Sequence, residues 1–250
     1  MLSKINNDNL DYFIKNNPEA EQAIENILNE NKQTMSFFTH ELRNPLSLIK
    51  GTLQYIETKH PEAKDYKYWD QIPDLINDME RMISDALAFN KLDTIIKKDT
   101  NIVHLITCIS NGYTQLALSQ GKQLGLTIEP ECEDYLTSYL CDPLKLKQGI
   151  CNLIQNAFEA TVPGDYINIY LGMFHEDNIS PRGFTIQISN NGLPIDDNEM
   201  QNIFTPFVTY KKGGTGIGLA VVKKIVKLHY GDITVGSNPK ATTFSIILPL

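Results

Sequence analysis

The chain contains 250 residues, 42% of them hydrophobic and 21% charged, which suits one or two globular domains and argues against a disordered chain. Its formal net charge of −8, with no Lys/Arg run longer than two residues, argues against nucleic-acid binding. No apolar stretch reaches the roughly 18 residues of a membrane-spanning helix and no signal peptide opens the chain, so we expect a cytoplasmic protein without a membrane span.

A long helix is predicted near the start of the chain. Residues 1–17 are polar and are interpreted as a short helix or loose arm, whereas Asn17-Pro18-Glu19 is typical of a helix start. From there the helical pattern continues to about Thr58. Apolar residues recur along it at steps of three, four or seven, as in a helix of a coiled-coil-like bundle, at Met35, Phe38, Leu42, Ile49 and Ile56.

His40 lies on this helix away from the apolar seam. It is two residues from Phe38 and from Leu42, so it is turned about 200° from both and is expected to face solvent. Asn44 follows one turn later on the same face. Glu41 is the next residue, and a carboxylate beside an imidazole can hold its tautomer and accept a proton.

A second helix is predicted over Tyr66–Leu92, after a turn at His60-Pro61-Glu62-Ala63. Because the connection is short, the two helices must run antiparallel as a hairpin. Neither helix can cover its apolar stripe with a single partner, so a homodimer in which two hairpins form a four-helix bundle is the economical arrangement. Packing of the helices on the rest of the same chain is the alternative.

The pattern changes after a polar linker at residues 94–100. We predict a strand at Asn101–His104, followed by a helix to about Gln120. The other predicted elements are strands at Leu124–Glu129, Leu136–Cys141, Tyr166–Phe174, Phe184–Asn190, Ile233–Ser237 and Thr242–Leu248, and helices at Pro143–Thr161 and Ile217–His229. This mixture indicates an α/β sandwich with helices on one face of a sheet.

Two segments of this second region offer amide groups to a ligand. Asn152 and Asn156 are four residues apart on one helix face, and their amide oxygens can ligate Mg²⁺ without adding negative charge. Asn190-Asn191-Gly192-Leu193-Pro194 follows an alternating strand, where a ligand-facing loop belongs. Each signal is weak alone, since polar helix pairs are usually solvated and such a loop resembles an ordinary turn.

Two glycine-containing segments follow. Ile203-Phe204-Thr205-Pro206-Phe207 precedes the polar Lys211-Lys212-Gly213-Gly214, which is interpreted as a flap with an aromatic anchor. Gly214-Thr215-Gly216-Ile217-Gly218-Leu219 opens a helix, where backbone N–H groups and the helix N-terminus attract anions. No strand directly precedes these glycines, which disfavours a dinucleotide-binding enzyme.

The string His40-Glu41-Leu42-Arg43-Asn44-Pro45-Leu46 closely resembles the phosphoacceptor box of sensor histidine kinases. The order and spacing of the four later segments resemble the ATP-binding domain of the same kinases, the Bergerat fold that gyrase, heat-shock chaperone ATPases and mismatch-repair ATPases share. The resemblance covers about residues 18–250. It implies a dimerisation and phosphoacceptor domain at 18–93 and an ATP-binding catalytic domain at 101–250.

The resemblance also implies roles for the matched residues. His40 would receive the γ-phosphoryl group of ATP, with Glu41 as general base, and pass it to an aspartate of a response regulator. Asn44 would orient a water for dephosphorylating that regulator, and Asn156, supported by Asn152, would hold Mg²⁺. The nucleotide-binding residues would be Asn152, Asn156, Asn190, Gly192, Lys211, Lys212, Gly214, Thr215, Gly216, Gly218 and Leu219.

Asn190 and Pro194 depart from the family pattern, which has Asp and Gly there. An uncharged acceptor binds the adenine amino group about half as strongly as a carboxylate, so weakened ATP binding is expected. The alternative is a phosphorelay or scaffold protein with a decayed ATP site. A further alternative is a Bergerat-fold serine kinase or ATPase switch that binds a partner protein. It is ranked last, because such a protein would not need the Phe37–Leu46 string. Only 39 residues precede His40, so no sensor domain is expected, and residues 1–17 are interpreted as receiving input from a partner protein.

Overall fold

The computed structural model describes residues 17–90, 92–175, 181–211 and 214–250. Contacts divide the chain into two compact units, with the boundary between residues 91 and 92. The described residues before this boundary are called the helical unit, and those after it the sheet unit. The predicted arm lies outside the described residues except for Asn17. No helix in the described ranges has both the length and the apolarity needed to cross a membrane.

The helical unit consists of two long helices and a short connection. Helix α1 covers Pro18–Lys59, a 3₁₀ helix covers Pro61–Asp65, and helix α2 covers Gln71–Asn90. The predicted helix start at Pro18 is confirmed. Helix α2 begins later than the predicted Tyr66 because the 3₁₀ turn is followed by Tyr68, whose φ of 74° is not helical.

Side-chain bonds from α1 to α2 and to the segment that leads into α2 show that the helices are antiparallel, as predicted. Lys50 Nζ lies 3.1 Å from Glu80 Oε2. Further along α1, Glu57 Oε1 accepts a hydrogen bond of 3.0 Å from Trp69 Nε1. Residue numbers therefore rise along α1 as those of their partners fall from α2 toward Trp69, which lies just before α2.

The covered face of α1 is not the predicted seam. Thr39 and Leu46 are buried, whereas the seam residues Phe38, Leu42 and Ile49 are 56%, 51% and 47% exposed. Both stripes have helical spacing, and they lie side by side on α1. The stripe that packs within the hairpin is the one through Thr39 and Leu46. The described residues therefore leave the middle of the predicted seam, from Phe38 to Ile49, uncovered.

The sheet unit contains seven strands and five helices within its described residues. They are β1 (Lys98–Thr100), α3 (Ile102–Ser119), β2 (Gln123–Ile128), α4 (Cys132–Tyr135), β3 (Tyr139–Cys141), α5 (Pro143–Ala160), β4 (Tyr166–His175), β5 (Pro181–Asn190), α6 (Asp197–Met200), α7 (Gly218–Leu228), β6 (Asp232–Asn238) and β7 (Ala241–Pro249).

Five of these strands form a mixed sheet in the order β2-β4-β5-β7-β6, and β1 pairs with β3 separately. Strands β2 and β4 are parallel, and the other neighbours are antiparallel. Along β5 and β7, alternate side chains are buried and the others are partly exposed. Helices α3, α5 and α7 pack against the sheet. One face is thus covered by helices, which confirms the predicted sandwich.

Two predicted strands differ from the structure. The strand predicted at Asn101–His104 is wrong, because Asn101 caps α3: its side chain accepts a 2.7 Å hydrogen bond from the His104 backbone N–H. The preceding strand β1 instead occupies the last three residues of the predicted linker. The strand predicted at Leu136–Cys141 is reduced to β3, because Leu136 ends the helical turn α4.

Candidate functional site

His40 lies within α1 with its side chain exposed, as the spacing predicts. Glu41 and Asn44 are exposed as well, whereas Thr39 on the adjacent face is buried. The helix continues through Pro45 without interruption. The three predicted catalytic side chains of the helical unit are therefore accessible, and packing of the hairpin does not require any of them.

Asp142 fixes the start of α5, the helix that carries the Asn pair. Its carboxylate accepts hydrogen bonds from the backbone N–H groups of Ile96 at 2.9 Å and Lys145 at 3.1 Å. Burial alone would raise the pKa of Asp142, but these bonds hold it below its ordinary value of 3.8. An ionised cap at this end complements the helix dipole, and Pro143 occupies the first turn.

Asn152 connects α5 to the glycine-rich segment. Its Nδ2 donates a 3.2 Å hydrogen bond to the carbonyl oxygen of Gly218, the first residue of α7. This bond ties the middle of α5 to the start of α7. Helices α5 and α7 are therefore connected at the segments that the sequence predicts to bind the nucleotide.

Asn156 and Glu159 both contact the ammonium group of Lys211. Lys211 Nζ donates to Asn156 Oδ1 at 3.2 Å and lies 2.8 Å from Glu159 Oε2. Two oxygens from one face of α5 thus converge on a single positive charge. Oxygen donors of this kind are the ligands that Mg²⁺ prefers, so Asn156 fits the predicted metal. All three groups are partly exposed, so the ion pair contributes little to stability.

Glu159 is absent from the sequence prediction. Its signal was its place three residues after Asn156, which puts both side chains on one helix face. Lys211, which is predicted to bind the nucleotide, contacts α5 in this structure. Lys212, the other predicted lysine, lies outside the described residues.

Asn190 ends β5 and is almost fully buried, at 2% exposure. Its Nδ2 has no hydrogen-bond partner. The loop that follows packs against the end of α5, where Leu193 N donates to Ala160 O at 3.0 Å. A Cβ at Gly192 would lie 2.0 Å from the same Ala160 oxygen, so only glycine fits this approach. The loop is therefore fixed beside the C-terminal end of α5.

The glycines before α7 differ in what constrains them. Gly216 has a φ of 68°, and a Cβ there would lie 2.7 Å from Phe207 C and from Val208 O. A Cβ at Gly218 would meet no atom within 4 Å. Gly214, Thr215 and Leu219 are half-buried, as are both of these glycines. Packing thus requires glycine at position 216 but not at 218.

The start of α7 receives no side-chain hydrogen bond from Ile217, the residue at its N-cap position. Its first backbone N–H groups are therefore available to an anion, and the helix dipole favours negative charge there. The sheet unit thus joins an anion-binding helix start to a cation-binding pair of oxygens through the Asn152–Gly218 bond. Such an arrangement is chemically suited to a metal-bound polyphosphate.

Two family models match the chain. The His Kinase A (phospho-acceptor) domain matches residues 30–95, and the histidine kinase-, DNA gyrase B- and HSP90-like ATPase matches residues 141–250. The first range includes His40, and the second includes every predicted nucleotide-binding residue.

Curated relatives carry both regions. Sporulation kinase B of Bacillus subtilis is 32% identical over 84% of this chain and 47% of its own length. Sensor histidine kinase ZraS of Escherichia coli is 32% identical over 84% of this chain and 44% of its own length. The chain therefore spans less than half the length of these two relatives.

Solved structures share the fold. The structure of full-length ShkA in complex with AMPPNP is 19% identical with a TM-score of 0.66, covering 87% of this chain and 45% of that chain. Histidine kinase ThkA in complex with response regulator protein TrrA is 22% identical with a TM-score of 0.64, covering 92% and 65%. With both family models matched in the same order, this chain belongs to the histidine kinases and carries the catalytic core of a sensor histidine kinase.

Proposed function

We propose that the protein is an ATP-dependent protein-histidine kinase that phosphorylates His40 and passes the phosphoryl group to an aspartate of a response-regulator receiver domain. The observation that carries the proposal is the pair of oxygens, from Asn156 and Glu159, that contacts the Lys211 ammonium group in a unit whose α7 begins with a glycine-lined turn. The exposed His40, within a matched phosphoacceptor domain, supplies the acceptor.

In the first step, a ring nitrogen of His40 would form a bond to the γ-phosphorus of ATP as the bond to the β–γ bridging oxygen breaks. ADP leaves, and Glu41 accepts the proton from the other ring nitrogen. Asn156, supported by Asn152, would hold Mg²⁺, which neutralises phosphate charge when bound. The N–H groups at the start of α7, from Gly216 onward, would bind phosphate oxygens.

In the second step, an aspartate oxygen of the receiver domain would replace the His40 nitrogen on phosphorus, and the imidazole would be regenerated. Asn44, one turn beyond His40, would orient a water that hydrolyses the regulator's acyl phosphate. The complex of ThkA with a response regulator supports a partner of this kind. Homodimerisation, a cytoplasmic location and an input through residues 1–17 belong to the same proposal.

A second candidate is a non-catalytic phosphorelay or scaffold protein of the same fold. The observation that favours it is Asn190, whose buried amide stands where the family has a carboxylate for adenine. If this change abolished ATP binding, His40 would still serve as an acceptor from another phosphoprotein. Nucleotide use therefore separates the two candidates.

Incubation with γ-labelled Mg-ATP tests the proposal. The wild type should acquire a label that is labile in acid and stable in base, as expected for phosphohistidine, and His40→Gln should acquire none. Asn156→Ala should weaken metal-dependent labelling about 10- to 100-fold. His60→Gln, which replaces another exposed histidine of the helical unit, is the matched control and should label normally. An unlabelled wild type at millimolar Mg-ATP would favour the relay.

A further inference from the structure

The amide of Asn190 presents an incomplete hydrogen-bonding group. Among the described residues, its Nδ2 is the one buried side-chain nitrogen or oxygen without a hydrogen-bond partner. Buried polar groups in native proteins are almost always paired, so an unpaired donor at a candidate site calls for a partner, such as a water molecule or a ligand atom. The nitrogen is a donor, so its natural partner is an acceptor atom.

Asn190 lies at the end of β5, next to the loop that contacts α5, the helix of the candidate site. In the sheet register it lies opposite Ile167 on β4 and Thr242 on β7, and all three are buried on the helix-covered face. The Thr242 hydroxyl forms a 2.7 Å hydrogen bond with Ser237 Oγ and does not accept one from Asn190 Nδ2. The next residues lead directly to the end of α5, through the bond from Leu193 to Ala160.

A carboxylate and an amide select purines differently. An ionised carboxylate only accepts hydrogen bonds, so it pairs with the 6-amino group of adenine and repels a 6-oxo oxygen. The Asn190 amide carries one acceptor and two donors, and rotation of the amide exchanges them. With one orientation it matches the 6-amino group and N1 of adenine. With the other it matches the 6-oxo group and N1–H of hypoxanthine.

We propose that Asn190 removes discrimination at the purine 6-position, so that the site binds 6-oxopurine nucleoside triphosphates about as well as ATP. The inference rests on the proposed function, because it concerns the same nucleotide site. Two effects combine in this site. The missing negative charge lowers its affinity for ATP, and the additional hydrogen-bond donor raises its affinity for the 6-oxo analogue. Asn190 would thus determine the base specificity of the site.

Competition binding tests it without relying on catalysis. A fluorescent ATP analogue bound to the full chain with Mg²⁺ is displaced by ATP or by inosine triphosphate, which differs from ATP only at the 6-position and the N1 proton. The wild-type dissociation constants for the two should agree within about tenfold. In Asn190→Asp, ATP should bind more tightly and inosine triphosphate more weakly, so their ratio should rise to about 100-fold or more.

Asn191→Asp is the matched control. It adds the same charge one residue away, and it keeps the side-chain oxygen that accepts a 2.7 Å hydrogen bond from Tyr166 N. Its ratio should stay near that of the wild type. An equal rise in both variants, or a wild type that already prefers ATP 100-fold, would overturn the inference and leave the proposed function standing.

The wild-type ratio decides the matter even if Asn190→Asp fails to fold. A wild type that binds neither nucleotide overturns the inference and the proposed kinase activity together. Binding of ATP without inosine triphosphate overturns only the inference, so the two failures are distinguishable.

Discussion

The sheet unit covers most apolar side chains on the inner face of its sheet, whereas the helical unit leaves much of its apolar surface open. Within the described part of the helical unit, the buried apolar residues are Leu46, Ala63 and Ile76. In the sheet unit, strands β4, β5 and β7 have buried side chains along the inner face of the sheet. Helices α5 and α7 cover these side chains. The exposed apolar side chains of the helical hairpin include Phe37, Phe38, Leu42, Leu48, Ile49, Leu75, Met79 and Met82.

The difference indicates that the two units obtain their stability differently. The sheet unit buries its core against its own helices, so packing within one chain also fixes the nucleotide site. The hairpin covers one stripe of α1 and leaves the neighbouring stripe open, a pattern that suits a bundle completed by a second copy. Large exposed apolar surfaces on soluble proteins usually mark such interfaces.

The largest expected effect comes from placing a charge in the open stripe. Ile49→Asp should raise the dissociation constant of the homodimer at least about 100-fold, because an unpaired carboxylate would be buried in the bundle. Sedimentation equilibrium measures the constant directly. The helical unit should then be less stable, and its stability should no longer depend on protein concentration. Its unfolding can be followed through Trp69, the only tryptophan.

Ser47→Asp is the control for this change. Ser47 is exposed on α1, seven residues after His40 and therefore on the same outward face. It should leave association unchanged. If both variants dissociate equally, the open stripe is not the dimer surface, and the comparison between the units needs another explanation.

The sequence predicts elements best where local and tertiary preferences agree. Helix α5 is predicted almost to the residue because Asp142 and Pro143 are strong start signals and the apolar spacing continues to its end. Alternation likewise predicts β5 and β7. The failure at Asn101 has a local cause: β-branched neighbours favour a strand, but the Asn101 side chain caps a helix that buries Ile102 completely.

Other features depend on contacts that periodicity does not encode. Two stripes of α1 have helical spacing, and only the position of α2 decides that the one through Thr39 and Leu46 is covered. The Lys211–Glu159 pair joins residues far apart in sequence, so no local signal could indicate it. The glycines were all predicted to serve the ligand, but the close backbone contacts at Gly192 and Gly216 show that these two are also required for the fold. The roles of His40 and the nucleotide-binding residues stay predictions.

A smaller effect separates folding from binding within the sheet unit. Gly216→Ala should destabilise this unit by about 1–3 kcal/mol, since its φ is positive and its Cβ would collide with backbone atoms. Gly218→Ala should leave stability unchanged or slightly raised, because there is space and alanine favours a helix. Calorimetry measures both, and nucleotide titration should show weaker binding in each variant. Equal stability in the two would contradict the backbone argument.

The smallest expected effect concerns pH and His229. His229 is buried; its Nδ1 donates to Ile225 O at 2.8 Å, and its Nε2 accepts from Asp142 N at 3.0 Å. Burial lowers the pKa of His229 below 6.5, and Lys97 and Lys145 lower it further, although Ile225 O and Asp142 oppose this. A proton on Nε2 would face the Asp142 N–H and break the bond, so the folded unit keeps this histidine neutral.

Stability of the sheet unit should therefore fall as pH is lowered from 6.5 toward the folded pKa of His229. In this window the unfolded chain binds a proton that the folded chain does not, so the free energy of unfolding decreases with falling pH. The lowered pKa values of Asp142 and Asp232 affect stability only below about pH 5, where the unfolded carboxyl groups begin to bind protons, so the slope between pH 6.5 and about pH 5 is free of them. His229→Gln should flatten the dependence in calorimetry, while His104→Gln, at an exposed site on α3, should keep it. A pH dependence that persists in His229→Gln would show that another titrating group, and not His229, causes it.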